Sequence, residues 1–330
     1  MDYYLFKLRF DGAVHFGTAD SALSLQASAD HFCADTLFSA LCHTAGSLWG
    51  EAGIARLCEQ AQAGELLLSD SMPWRECDGA DVYYLPKPCA VSQTRQETPS
   101  QLRKAMKRLA WIPVQDMDDF RDSLAGKTLY CPKEEPFGEA GARTQAAVCD
   151  GRDAVPYQVG TFCFLPSCGL YFLAGCTGDA QAQQLQTLVN ALGMSGIGGK
   201  ISAGYGSFSV ENVILLNEPI DDQTQWLYDA LICPQPKRYL LLTTSLPADD
   251  ELEEALSGAL FQLARRGGYV QSEAFDRERS NMPQRKRTQV FLAAGAMLER
   301  PFSGALYSVA QGGSHPVYRY SKPLMLGVGF

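Results

Sequence analysis

The stretch GIGGKISAGYGSF, Gly196 to Phe208, holds two Gly-x-Gly pairs, Gly196 with Gly198 and Gly204 with Gly206, around Gly199, Lys200, Ile201, Ser202 and Ala203. Glycine reaches positive φ without a Cβ clash and lets another backbone approach closely, so a loop of this density can turn several amide N–H groups toward one anion. Phosphate is the natural ligand class. Two familiar nucleotide loops are excluded by spelling. A Walker loop needs Ser or Thr after Gly-Lys, where Ile201 stands, and Gly where Met194 stands; a dinucleotide fingerprint needs its third Gly at Ile201. Order excludes them too. Those loops leave a strand and enter a helix, whereas Leu185, Leu188, Val189 and Leu192 keep helical spacing before the glycines and FSVENVILL reads as a strand after them. Helix, glycine loop, strand suits a loop lying across the face of a sheet.

The rest of the chain fits that frame. MDYYLFKLRF alternates Tyr4, Phe6, Leu8 and Phe10 with Lys7 and Arg9, a strand with a buried face. After AVHFG, with His15 and Phe16 beside Gly17, ADTLFSALCHTAGSLWG reads as a helix capped by Asp35 or Thr36, with Leu37, Phe38, Leu41, Ala45 and Leu48 on one stripe. Leu66 to Leu68 and Val82 to Leu85 read as strands joined by a turn-rich stretch with Pro73, Asp78 and Gly79. With a helix from about Asp179 to Leu192 and the strand after the glycines, the order becomes βαββαβ, the ferredoxin-like arrangement shared by RNA-recognition modules.

A long insertion, about 87–160, interrupts this order; connections of that length are usually functional or mobile. Inside it SQLRKAMKRLAW predicts an amphipathic helix from Ser100, with Arg103, Lys104, Lys107 and Arg108 on one face, either a solvated surface or a basic lobe tracking RNA. After Asn217-Glu218-Pro219 the pattern restarts. Tyr239 to Thr243 reads as a strand, and Asp249 caps a helix carrying Leu252, Leu256, Leu260 and Leu263 that ends at Arg265-Arg266-Gly267-Gly268. Strand-like QVFLAA, GALYSV and PLMLGVG follow. The expectation is an α+β chain of two tandem ferredoxin-like domains, 1–216 and 217–330, consistent with 330 residues of which 46% are hydrophobic.

Charge and cysteine usage narrow the function. Twenty-eight Lys and Arg against 37 Asp and Glu give a net charge of −9, which argues against indiscriminate nucleic-acid binding but allows a local basic groove. The 11 cysteines include no CxxC pair, and His15, His31, His43 and His315 form no ligand-spaced cluster, so no metal or other cofactor is expected. With no signal peptide and no apolar run near the roughly 18 residues that span a bilayer, the reading is a cytoplasmic protein with reduced thiols and no membrane partner. In SEAFDRERSNMPQRKRT, a polar loop, Arg285, Lys286 and Arg287 either reach phosphates or keep the loop soluble.

The spacing GxGxxxxxGxG behind an amphipathic helix resembles the glycine loop of the RAMP superfamily of CRISPR proteins. Four further stretches, VHFG at Val14 to Gly17, ADTLFSALC at Ala34 to Cys42, YYLPKP at Tyr83 to Pro88 and HPVYRYSKP at His315 to Pro323, resemble the fourth-subunit family of the type III-A Csm effector complex, over essentially the whole chain. One departure is Ser321 after VYRY, where Gly is expected. The resemblance implies two ferredoxin-like domains and no catalytic role. It implies a subunit that holds the repeat-derived 5′ tag of the crRNA and whose partners are the large palm-domain subunit and the backbone RAMP subunit. Under it Gly196, Gly198, Gly199, Gly204 and Gly206 let backbone amides meet RNA phosphates, Lys200 adds charge, Ser202 donates a hydrogen bond, and Tyr205 either stacks a base or packs in the core. His15 and Phe16 belong to the same sheet edge.

Three rival readings stand beside this one. A metal-independent crRNA-processing endoribonuclease would use His15, or His43, as general acid or base. A target-cutting backbone subunit would use an Asp in the loop after the first strand, where Asp20 and Asp30 lie. A scaffold would bind protein only, in keeping with the acidic balance.

Overall fold

The computed structural model describes residues 1–17, 25–91, 100–133, 135–147, 153–272, 275 and 284–330. Asp20, and the charged loop residues Glu273, Asp276, Arg277, Glu278 and Arg279, lie outside them. The fold is mixed α/β with antiparallel sheets.

The chain opens with β1 (Asp2–Phe10), α1 (Ala34–Ala63), β2 (Leu66–Leu68), β3 (Met72–Cys77) and β4 (Ala80–Pro86). The expected insertion contains α2 (Ser100–Arg108), β5 (Trp111–Pro113), α3 (Met117–Leu124), β6 (Gly138–Ala147) and the start of β7 (Val155–Phe164); β8 (Cys168–Cys176), α4 (Asp179–Ser195) and β9 (Phe208–Leu215) follow. The main sheet runs β5-β4-β3-β8-β1-β9, with β2 also on β8. Val82 to Leu85, expected as a strand, lies in β4, the outer arm of the β3-β4 hairpin. The central place falls to β8, which the sequence reading missed. β8 is buried at all nine positions, so it shows no alternation, and a continuous apolar run identifies no face. Pro73, expected in a turn, sits inside β3. The turn is Asp78-Gly79 alone, both at positive φ of 51° and 80° between paired Cys77 and Ala80, the two-residue geometry that favours Asp-Gly.

Alternation along β1 sends Phe6, Leu8 and Phe10 to one face, where α1 and α4 cover them through Leu37, Phe38, Leu41, Leu185, Leu188 and Leu192. The opposite face is covered as well. Leu5, Trp74, Tyr171 and Leu173 share a core with Leu227 of α5 (Asp222–Leu231), Leu240 of β10 (Arg238–Leu241) and Leu326 near the C-terminus. Lys7, on that face, is 9% exposed; it pairs with Asp81 at 2.6 Å and Glu211 at 3.2 Å and lies 3.8 Å from the centre of the Trp74 ring.

The C-terminal part corrects one expectation. The helix expected through Leu252, Leu256, Leu260 and Leu263 is short, α6 (Leu252–Leu256), and Gly258 at φ 65° lies just beyond it, a left-handed position that ends helices. Leu260 then bridges Met297, and β11 (Leu263–Arg266) pairs with β12 (Gln289–Leu292). β13 (Met297–Leu298), β14 (Leu306–Ser308), β15 (Tyr318–Tyr320) and β16 (Met325–Val328) complete the chain, in the sheet β13-β10-β16 and the pair β14-β15. Among the described residues no helix is long and apolar enough to cross a membrane.

Asp35 and Thr36 do not cap α1. Its N-cap position is Cys33, without a side-chain bond, and the Ala34 amide donates to Asp70 Oδ1 at 2.8 Å from the break between β2 and β3. Asp35 instead receives Arg266 through Nη2 at 2.6 Å and Nε at 3.1 Å, and Arg319 Nε lies 3.6 Å away. Burial alone would raise the Asp35 pKa, but the charge and hydrogen bonds of Arg266, with Arg319 behind them, hold it below the usual carboxylate range. Arg319 spends its other donors on the carbonyls of Arg266, Gly267 and Arg287. Next to it Tyr320 packs its ring 5.1 Å from Phe38 and accepts from the Leu68 amide at 2.8 Å. DTLFSAL and VYRY, far apart in sequence, are therefore the two sides of one clamp.

Candidate nucleic-acid interface

Helix α4 ends at Gly196, whose amide still reaches Leu192 O, and the chain then folds back on the segment after β1. The Gly199 amide donates to His15 O at 2.8 Å, Gly206 to Ala13 O at 3.0 Å, Ile197 to Gly206 O at 2.9 Å and Gly204 to Ile201 O at 2.9 Å. Glycine is required here by close approach as well as by φ. A Cβ on Gly198 (φ 101°) would stand 2.7 Å from His15 O and 2.9 Å from the Phe16 ring, and one on Gly199 would stand 2.6 Å from the His15 ring. One on Gly206 would penetrate the Ile197 carbonyl, whereas Gly204 faces open space.

This changes which amides are available. Those of Gly196, Gly199, Gly204 and Gly206, expected to meet phosphate, are already bonded to the carbonyls of Leu192, His15, Ile201 and Ala13. Among the described residues, the amides of Gly198, Lys200, Ile201 and Ser202 have no acceptor within the chain. Lys200 is left-handed (φ 62°, ψ 27°) and opens a short 3-10 turn over Ile201–Ala203. Its N–H therefore begins a run of three successive unbonded donors at an exposed turn, the arrangement from which backbone anion nests are built.

Around this run the sequence-predicted side chains divide. His15, 6% exposed, directs Nδ1 at Gly160 O at 2.7 Å; a carbonyl can only accept, so Nδ1 carries the proton. Phe16, 3% exposed, is wedged between Phe10 and Phe32. Tyr205 packs with Ala13 and Val159, because the chain turns inward there to begin β9. These three form the floor of the loop. Lys200 and Ser202 face outward. The Lys200 ammonium rests 3.0 Å from Tyr157 Oη and 4.7 Å from its ring centre.

Tyr157 belongs to β7, and the β6-β7 ribbon supplies what sequence reasoning missed. Tyr157 Oη donates to Gln145 Oε1 at 2.7 Å, and the Arg143 guanidinium lies 5.7 Å from the Tyr205 ring centre. Ten cross-strand pairs join β6 to β7, most of their residues exposed. The signal was slight: Tyr157, Val159 and Thr161 alternate with Gln158 and Gly160, whereas Gly141 to Gln145 carries no apolar alternation.

Among the described residues, Arg285, Lys286 and Arg287 share no hydrogen bond or ion pair with the glycine loop. Arg285 is exposed and bonds Tyr269 Oη at 3.3 Å, Arg287 is exposed, and Lys286 is half-buried over α1. There burial lowers the Lys286 pKa against the attraction of Asp35. Asp30 binds His31 at 2.8 Å. The basic face of α2 is as expected, with Arg103, Lys104, Lys107 and Arg108 exposed and Met106 and Leu109 packed inward. Among the described residues no group of three or more His, Cys, Asp or Glu is placed to hold a metal.

A family model for the CRISPR Csm4 C-terminal domain matches residues 234–328. The Mycobacterium tuberculosis (strain H37Rv) protein described as CRISPR system Cms protein Csm4 is 34% identical over 332 residues, covering 99% of this chain and 98% of the relative. The chain belongs to the Csm4 family. The Streptococcus thermophilus Csm4 is 27% identical, covering 98% of each chain. In fold this family member is similar to the protein in a crystal structure of the Csm3–Csm4 subcomplex of the type III-A CRISPR-Cas interference complex, with TM-score 0.62, 16% identity and full coverage of both chains. It is equally similar to one in a Csm1–Csm4 cassette in complex with cA4, with TM-score 0.62, 18% identity and coverage of 100% and 99%.

Proposed function

We propose that this Csm4-family chain is a non-catalytic, RNA-binding subunit of a type III-A Csm interference complex. It holds the repeat-derived 5′ tag of the crRNA and docks the large palm-domain subunit and the backbone RAMP subunit in the cytoplasm. The observation that carries the reading is the run of unbonded amides at Lys200, Ile201 and Ser202, fixed over a floor of His15, Phe16 and Tyr205 and accompanied by the Lys200 ammonium. Backbone amides and one lysine recognise a phosphodiester without reading its base, which positions an RNA. The ribbon residues Tyr157, Gln145 and Arg143 extend the same surface. Arg285 and Arg287 form a separate exposed basic patch available to the RNA or to the complex.

The order β9-β1-β8-β3, with α1 and α4 on one face, supports reading residues 1–216 as ferredoxin-like. β10, β13 and β16 with α5 and α6 supply the elements of a second, reduced domain in 217–330. His15 acts as a strut in this reading, since its Nδ1 proton is committed to Gly160 O and its ring lies under Gly199.

The test is co-expression with the large subunit, then binding of RNA with and without the 5′ tag across a salt series, with the same RNA run on a gel. The expected result is tag-dependent binding of intact RNA, weakened by Lys200→Ala with a loss of about one unit in the slope of log K against log salt. Binding indifferent to the tag, or an unchanged slope, would overturn the assignment of this loop. Metal-independent cleavage abolished by His15→Ala would restore the endoribonuclease reading.

A further inference from the structure

Helix α1 is a hairpin of two arms. At Gly50 the backbone leaves helical geometry (φ 68°, ψ −161°), and the arms fold back on each other. A Cβ on Gly53 would stand 2.8 Å from Trp49 Cβ and 3.0 Å from Ala45 O, and one on Gly46 would stand 3.0 Å from Ile54 Cδ1. Contacts between residues 46 and 54 and between 45 and 53 define an antiparallel register centred on Gly50. Glycines at the crossing allow the arms this close approach. One helical turn farther out, at four residues beyond 46 and 54, the same register sets Cys42 against Cys58.

Both thiols are free and half-buried, and both pack against the core beneath α1 and α4. The influence of each thiol on the other pushes the Cys42 thiol up, with burial adding to it, and draws the Cys58 thiol below its ordinary value despite burial. Nothing in the glycine-loop surface uses either residue.

We propose that Cys42 and Cys58 are an oxidisable dithiol, a modification site whose substrate is a small-molecule disulfide such as oxidised glutathione. The Cys58 thiolate attacks one sulfur of the disulfide, forming a mixed disulfide and releasing one glutathione thiolate. Cys42 then loses its proton to solvent and its sulfur attacks Cys58 Sγ, releasing the second glutathione. The protein gives up two electrons and two protons and the oxidant becomes two thiols. The product is a covalent staple between the arms of α1, on the helix whose first turn carries the Asp35 clamp. A thiol is selected for this exchange by thiolate character and access together, and Cys58 combines both while Cys42 supplies the resolving sulfur.

The experiment treats the full chain, without reductant, with oxidised glutathione, quenches with iodoacetamide and maps the peptides by mass spectrometry. The expected result is a Cys42–Cys58 linkage as the dominant intramolecular disulfide, reversed by dithiothreitol. Cys42→Ser is expected to accumulate glutathione on Cys58, and Cys58→Ser to leave Cys42 mostly unmodified. The proposal is overturned if the wild-type chain carries glutathione at exposed Cys131 and Cys163 and no Cys42–Cys58 linkage, or if the linkage forms only in urea. The wild-type map decides the matter even if a serine variant fails to fold, and it is independent of RNA binding.

Discussion

Replacing Asp35 by Ala removes the carboxylate that is salt-bridged to both Arg266 and Arg319. The side chains of these three residues are 11%, 16% and 2% exposed, so the two guanidinium groups are left largely out of water. Arg319 keeps its three carbonyl acceptors, but carbonyls do not neutralise a charge. Removing one partner of a buried ion pair costs about 3–5 kcal/mol. The residual exposure of Arg266 places this case near the lower end, about 3 kcal/mol, or a fall in Tm of about 4 °C for a chain of this length. The assay is thermal and urea unfolding of wild type, Asp35→Ala, Asp35→Asn and the exposed control Glu254→Ala, whose pair with Arg300 leaves both side chains more than half exposed. The pH dependence follows from the same cluster. Folding lowers the Asp35 pKa, so its contribution is full above the unfolded value of about 4 and is lost as pH falls through the lower folded value. Wild type is therefore expected to lose more stability in that window than Asp35→Asn. An Asp35→Ala loss no larger than that of Glu254→Ala, or parallel acid profiles for wild type and Asp35→Asn, would refute the argument.

Further predictions rest on the same geometry. Gly206→Ala is expected to destabilise the fold, since its Cβ meets the Ile197 carbonyl, whereas Gly204→Ala has open space and costs only the left-handed backbone strain, about 1–2 kcal/mol; paired melts of the two variants check the order. Tyr320→Phe strips the buried Leu68 amide of its acceptor and is expected to cost about 1–3 kcal/mol in urea unfolding. Tyr157→Phe releases the Lys200 ammonium without changing charge, so tag binding is expected to weaken while the salt slope stays constant; a changed slope would place Tyr157 in a different role.

Local pattern made much of this protein legible. The alternation of Phe6, Leu8 and Phe10 identified β1 and its core face, the i, i+3, i+4 spacing of Leu185, Leu188, Val189 and Leu192 identified α4, and the glycine spacing identified the loop that α4 delivers to the floor of the site. Each signal is periodic or depends on a single backbone conformation, so a short window contains it. The ribbon was less visible because its exposed residues carry little apolar periodicity. The course past α6 was misread because leucines at helical spacing outweighed Gly258, although the left-handed glycine is what ends the helix.

The sequence by itself determined the family, the place of the glycine loop between helix and strand, and the outward basic face of α2. Tertiary structure alone decided that β8 fills the centre of the sheet, because a strand covered on both faces has no alternation to read. It alone decided that Asp70, not Asp35, serves the first amide of α1, and that Asp35 answers two arginines more than 200 positions away. It also decided which amides of the loop remain for a ligand. Glycine spacing shows that a backbone can turn, but it is the carbonyls of Ala13 and His15, brought up from the segment after β1, that take the amides of Gly206 and Gly199.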